Sequence, residues 1–181
     1  MGPVGLAAAY EAAKNGNKVL LIEKRSEEQA AVRPQVAVLD PARKQQLMQM
    51  IGPEDRLDLD DIKFLDALAQ SAEIKLRDVQ KFILNRIKNL NKQCIQNAHE
   101  PIIDLSYGTQ LSAVDLKNGS GEIKVGEEKK PIQFEHLVAA DGASSETLEL
   151  VNANLEKSGE KPLQRKTPRD MKHLEETFLN V

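Results

Sequence analysis

The chain has 181 residues, 40% hydrophobic and 29% charged, with a formal net charge of -3. That length suits one domain with a buried core, the lack of a basic surplus argues against a nucleic-acid partner, and no apolar run reaches the length of a bilayer span. One cysteine, Cys94, excludes an internal disulfide framework, and the three histidines lack metal-ligand spacing. Aromatic residues make up only 3%, with no tryptophan, too few for a platform that stacks bases or sugars. Val4 to Ala13 is apolar but contains Glu11 and has no basic stretch before it, so it does not read as a signal peptide. A reduced, cytoplasmic protein without a structural metal is the expectation.

In chain order, Pro3 to Asn15 combines strong helix formers with helical apolar spacing, and Asn15-Gly16-Asn17 stops it with turn chemistry. Val19-Leu20-Leu21-Ile22, ending in Glu23, is a continuous apolar run of the kind buried on both faces of a parallel sheet. Lys24 to Gln35 is polar and expected as a loop. Val36 to Leu39 reads as a short strand, and Ala42 to Met50 as a short helix ended by Gly52-Pro53. Asp60 to Gln70 predicts another helix. Arg77 to Gln96 is the clearest long one, with Val79, Ile83, Leu84, Ile87, Leu90 and Cys94 recurring on one face.

The period then changes to that of strands. Ile102 to Ser106, Gln110 to Leu116, Glu122 to Val125 and Ile132 to Phe134 form a meander, with turns at Asn118-Gly119-Ser120-Gly121 and across the charged stretch Gly126 to Lys130. His136 to Ala140 is expected as a last strand, closed by Asp141-Gly142. Thr147 to Leu155 predicts a helix, and Lys157 to Asp170 is charged and proline-bearing.

The chemistry lies at the start. Met1-Gly2-Pro3-Val4-Gly5-Leu6 matches the latter part of a G-x-G-x-x-G fingerprint. The glycine at Gly2 lets backbone approach a pyrophosphate, Gly5 lets the helix pack on a strand, and the first-turn amides point at the anion. Glu23 follows at the end of the apolar run, where a carboxylate accepts hydrogen bonds from the ribose of an adenosine. Glycines, helix, turn, strand and acid in that order favour a dinucleotide site. Such sites are built at a strand-to-helix turn, so the first strand and first glycine are expected to be missing from this chain.

The fingerprint alone serves NAD and FAD equally. Pro3-Val4-Gly5-Leu6-Ala7-Ala8-Ala9 and Val19-Leu20-Leu21-Ile22-Glu23-Lys24-Arg25 resemble the N-terminal region of the aromatic-hydroxylase class of FAD-dependent monooxygenases. Leu137-Val138-Ala139-Ala140-Asp141-Gly142-Ala143-Ser144-Ser145 is similar to a motif of that class whose aspartate contacts the flavin's ribityl chain; Ala140 stands where glycine is frequent. Arg33-Pro34-Gln35-Val36-Ala37-Val38-Leu39-Asp40-Pro41 resembles the segment after the acidic strand in the monooxygenase domain of MICAL proteins, where an arginine lies against the flavin nucleotide. Leu76-Arg77-Asp78-Val79 resembles the Arg-led helix start that the class places beside its cofactor.

The resemblance implies an α/β, Rossmann-like FAD-binding domain of glutathione-reductase type with a β-meander, incomplete at both ends. Residues 1–156 would form the partial FAD/NAD(P)-binding domain, and 157–181 a charged linker leading to an absent substrate-binding region. It implies cofactor contacts from Gly2, Pro3, Val4, Gly5, Glu23, Lys24, Arg25, Arg33, Arg77, Asp141 and Gly142. NAD(P)H and O2 would be co-substrates of the intact relative, acting on a small-molecule or protein substrate. No catalytic side chain is identified. His99, His136 and His173 read as surface or strand-edge residues, and Cys94 as core. Two alternatives stand beside this reading. One is an NAD-linked oxidoreductase domain, which calls for a second strand–helix–strand half after Glu23. The other is a non-catalytic remnant or interaction module that no longer holds FAD.

Overall fold

The computed structural model describes residues 2–32, 34–51, 57–71, 73–142 and 145–164. In chain order its elements are α1 (Pro3–Lys14), β1 (Val19–Glu23), α2 (Glu27–Ala31), β2 (Val36–Val38), α3 (Pro41–Gln49), α4 (Leu59–Gln70), β3 (Glu73–Lys75), α5 (Leu76–Gln96), β4 (Ile103–Tyr107), β5 (Thr109–Asp115), β6 (Ser120–Val125), β7 (Glu128–Gln133) and α6 (Glu146–Lys157). β1 and β4 pair in parallel, Val19 opposite Ile103 through Glu23 opposite Tyr107. β2 and β3 form an antiparallel ribbon, and β5, β6 and β7 an antiparallel meander. This is the α/β arrangement expected, with the parallel pair, the ribbon and the meander as the three sheets among the described residues.

The parallel pair is joined through a helical crossover because parallel neighbours cannot be linked by a tight turn. The long helix α5 supplies it, and α1 packs beside it. Leu6, Tyr10 and Ala13 of α1 meet Val79, Phe82, Ile83 and Ile87 of α5 and Ile103 of β4 in one core, with Val19 and Leu21 against it. Each fully buried aliphatic or aromatic side chain here contributes about 1.5–3 kcal/mol relative to exposure. The Asn91 side chain bonds the backbone of Ile103 in both directions, at 2.7 and 3.0 Å, and so fixes α5 to β4.

α4 docks on α5 through the stacked rings of Phe64 and Phe82, 4.7 Å apart. Asp58 and Asp61 form a capping box that starts α4, and the Asp61 carboxylate also accepts from the buried Arg86 guanidinium. Asn85 donates to the carboxylates of both Asp58 and Asp61. One acid therefore serves the helix start and the helix–helix contact together.

Several expectations are corrected. The polar stretch Lys24 to Gln35 contains α2, held by a capping box in which Ser26 accepts from the Gln29 amide and the Gln29 side chain returns to Ser26. Glu73–Lys75 is a strand because it pairs with β2, a long-range contact that three residues of sequence do not announce. β7 begins at Glu128, so the expected charged loop closes to a tight turn at Gly126 and Glu127. His136 to Ala140 is not a strand: apolar alternation forms no ladder without a partner, and it has none among the described residues. β1 is not buried on both faces, since Leu20 is 43% exposed. Cys94 is half-buried rather than core, because α5 runs past the body it packs on. Arg33, the Gly52-Pro53 stop and residues 165–181 lie outside the described residues. Among those described, no helix is long and apolar enough to cross a membrane.

Candidate nucleotide-binding site

α1 runs back along β1, so its N-terminus lies at the carboxyl end of that strand, the end at which open α/β sheets bind ligands. Gly2 is the N-cap, Pro3 occupies the first turn where its missing N–H costs nothing, and no side chain caps the helix. An uncapped first turn leaves amide donors and the positive end of the helix dipole facing outward. A Cβ on Gly5 would stand 3.2 Å from the Cβ of Ala140, so the segment before Asp141 passes directly against the start of α1. Glycine is what this approach needs. Val4, one residue earlier, is largely exposed.

Asp141 follows Ala140, and its carboxylate accepts the Thr147 amide at 2.9 Å, while Ser145 accepts the Leu148 amide at 3.0 Å. The two acceptors together take two of the free amides in the first turn of α6. Burial pushes the Asp141 carboxyl up, but hydrogen bonds from Ser145 and from Thr147 outweigh it and hold its pKa below the ordinary aspartate value. Gly142 turns the chain between them with φ +87°, in the left-handed region.

Glu23 ends β1 opposite Tyr107, with its side chain only 9% exposed. Arg25 grips it: the Arg25 amide and Nε donate to Oε1 at 3.1 and 2.9 Å, and NH2 donates to Oε2 at 2.8 Å. Lys24 points elsewhere, to Glu146 in the first turn of α6, whose carboxylate also takes a hydrogen bond from Gln110 of β5. The end of β1 is thus tied to the meander and to α6. Tyr107 has its phenol pKa raised by burial and by the charge of Glu27.

Arg77, in the first turn of α5, is 57% exposed and touches Asp78. It lines a cleft of about 450 Å³ whose wall also includes Leu6, Glu27, Lys88 and Tyr107. The site residues read from sequence therefore fall into two groups. Gly2, Pro3, Val4, Gly5, Asp141 and Gly142 gather at the start of α1, and Glu23, Lys24 and Arg25 at the end of β1. Arg77 opens on the cleft beginning one residue beyond Gly5. Sequence reasoning missed Ser145, Glu146 and Tyr107. A serine before a helical acidic turn is a legible N-cap signal; the Lys24–Glu146 and Tyr107–Glu23 pairings are products of the fold. Among the described residues, no group of histidine, cysteine and acidic side chains could hold a metal ion.

A glycine-started helix laid against a parallel strand that ends in an acid, followed by a crossover helix and a meander, defines a Rossmann-like FAD/NAD-binding oxidoreductase domain. The sequence pattern of the family described as pyridine nucleotide-disulphide oxidoreductase matches residues 1–179, and the chain belongs to that family. No curated protein matches it. Domains of this family bind FAD and NAD(P), and membership implies a flavin-dependent oxidoreductase.

Proposed function

We propose that this chain is the FAD-binding part of an NAD(P)H- and O2-dependent monooxygenase of the aromatic-hydroxylase class, with a resemblance to the MICAL monooxygenase domain. One observation carries the reading: the uncapped first turn of α1 lies against Ala140, beside Asp141. A pyrophosphate needs backbone donors at close range, and Gly2 and Gly5 leave no side chain in its way. Removing the glycine at Gly5 would fill the approach that brings the Asp141 segment to the helix start. The residues present fit an extended FAD.

In this reading the α1 amides of Val4 and Gly5 hold the pyrophosphate, and Glu23 receives the adenosine ribose. Arg25 lies beside it at the adenylate end, and Lys24 anchors the strand end through Glu146. Arg77, over the cleft next to Leu6, adds a guanidinium that matches phosphate oxygens. Arg33 is assigned to the same nucleotide from the sequence resemblance. Asp141 and Gly142 close the far side toward the ribityl chain. FAD, when bound, supplies the two-electron redox chemistry, and the protein's part is to hold it and exclude water.

A second reading has its own support. Glu23 is gripped by Arg25 and Asp141 is engaged at α6, as in a non-catalytic relative that uses these carboxylates to hold its own fold. An NAD-linked domain is less well supported, because α2 and the β2–β3 ribbon follow β1 in place of a second strand–helix–strand half. The test is a visible spectrum and FAD titration of the purified 181-residue chain. Flavin absorbance with quenched fluorescence, lost in Gly5→Val, supports the FAD reading. A colourless protein that leaves FAD fluorescence unchanged leaves the non-catalytic reading standing.

A further inference from the structure

We propose that the cleft between α2 and α5 is a second nucleotide site, separate from the crevice at the start of α1. It takes an adenylate, with the exocyclic amino group toward Glu27 and the phosphate on Lys88. The cleft holds about 450 Å³, inside the range of about 300–1,000 Å³ in which proteins bind small molecules. Its charged residues sort into two kinds. Arg77 touches Asp78, and Lys81 reaches across to Asp60. Glu27 and Lys88 are left over. Both are exposed, and neither makes an ion pair or a side-chain hydrogen bond among the described residues.

The two charges stand on different walls. Arg77, Lys81, Leu84 and Lys88 recur at the spacing of one helical face of α5, which puts Lys88 about 16 Å along the helix from Arg77. Glu27 lies in the first turn of α2, whose start is fixed by the Ser26–Gln29 capping box. The same cleft is lined by Ala31, Leu84 and the ring of Tyr107. Burial first, and then the charge of Glu27, raise the Tyr107 phenol pKa, so the carboxylate acts on the interior of the cleft. A ligand that settles both charges carries a hydrogen-bond donor and an anion on one planar body, and an aminopurine nucleotide has that combination. A carboxylate accepts from an exocyclic amine but repels a carbonyl oxygen in its place, so Glu27 distinguishes adenine from hypoxanthine. The Lys88 ammonium supplies a point charge for the phosphate. The adenylate comes either from the NAD(P)H co-substrate, an assignment that rests on the reading above, or as free AMP.

The experiment is calorimetric titration of the full chain, with FAD in excess, using AMP, IMP and adenosine as probes. Glu27→Gln and Lys88→Gln are the variants, Lys88→Arg is the conservative control, and circular dichroism checks that each is folded. The wild type should bind AMP about tenfold or more tightly than IMP or adenosine. Glu27→Gln should bring IMP to within about twofold of AMP, because an amide both donates and accepts. Lys88→Gln should weaken AMP about tenfold or more, toward adenosine, and Lys88→Arg should restore it. No AMP binding by the wild type, or AMP and IMP told apart equally well in Glu27→Gln, overturns the proposal. So does unchanged AMP affinity in Lys88→Gln. AMP binding that weakens as FAD is raised places the adenylate in the α1 crevice and overturns it as well. A chain that binds AMP in the expected pattern but ignores FAD supports the second site and overturns the FAD reading. Within a supported site, competition by NADH or NADPH identifies the co-substrate as occupant, and its absence identifies the free nucleotide.

Discussion

Ala140 sits 3.2 Å from the point at which a side chain on Gly5 would begin. The contact joins the first turn of the chain to the loop after the meander, and it places Asp141 beside the helix start. Two effects oppose each other at this position. Alanine is the better helix former than glycine by about 1 kcal/mol, whereas overpacking a close contact costs about 1–3 kcal/mol.

For Gly5→Ala the two nearly cancel. Gly5→Val adds bulk at the same contact and gives up part of the propensity gain. It should lower stability by about 2 kcal/mol in urea unfolding, since overpacking then prevails. Unchanged stability in the valine variant would show that the Ala140 segment yields freely and does not fix Asp141 against α1.

Much of the helical architecture was legible because it is local. The spacing of Val79, Ile83 and Ile87 places α5 to within a residue at its start, and the Pro3 and Asn15 signals bound α1. The parallel strand β1 was legible as a strand, but its exposure at Leu20 was not, because burial depends on which elements cover each face. β3 was invisible since it exists through β2, and His136 to Ala140 was misread because a ladder needs a second edge. At the site, the glycines and acids stood out by type and order. What they bond to did not: nothing in Glu23-Lys24-Arg25 says that Arg25 turns back while Lys24 reaches Glu146.

The buried Asp61–Arg86 pair gives a stability test apart from the site. Asp61→Ala takes the Asp61 carboxylate away from the Arg86 guanidinium, which is fully buried and lies over the Phe82 ring. Breaking such a pair from one side costs about 3–5 kcal/mol. Replacing both residues with apolar ones, as in Asp61→Leu with Arg86→Met, should recover most of that, because the buried charge is removed along with the carboxylate that faced it. A double variant no better than Asp61→Ala in urea unfolding would place the loss in the α4 capping box instead.

Asp141 makes a prediction about pH. Its folded-state pKa is depressed, so its ionised contacts stabilise the protein above the ordinary aspartate value of about 3.9, and that stability is lost as pH falls through the folded-state pKa. Asp141→Asn removes the charge while keeping an acceptor for the Thr147 amide. Its melting temperature should lie below that of the wild type at pH 7, with the gap shrinking as the carboxylate of the wild type is protonated. A gap constant across the acid range would assign the loss to altered hydrogen-bond geometry.

Gly142 separates backbone conformation from packing. At φ +87° it lies where side chains are disfavoured, and a Cβ there would meet nothing within 4 Å. Any loss in Gly142→Ala is therefore conformational. The left-handed region costs about 1–2 kcal/mol for an ordinary residue, offset by about 0.4–1 kcal/mol from the stiffer unfolded chain, so a net loss of about 1 kcal/mol is expected. Gly142→Asn should lose less, because asparagine tolerates this region by bonding its own backbone. Equal losses for the two variants would show that the turn relaxes to another conformation, and Asp141 would then lose its fixed place at the start of α6.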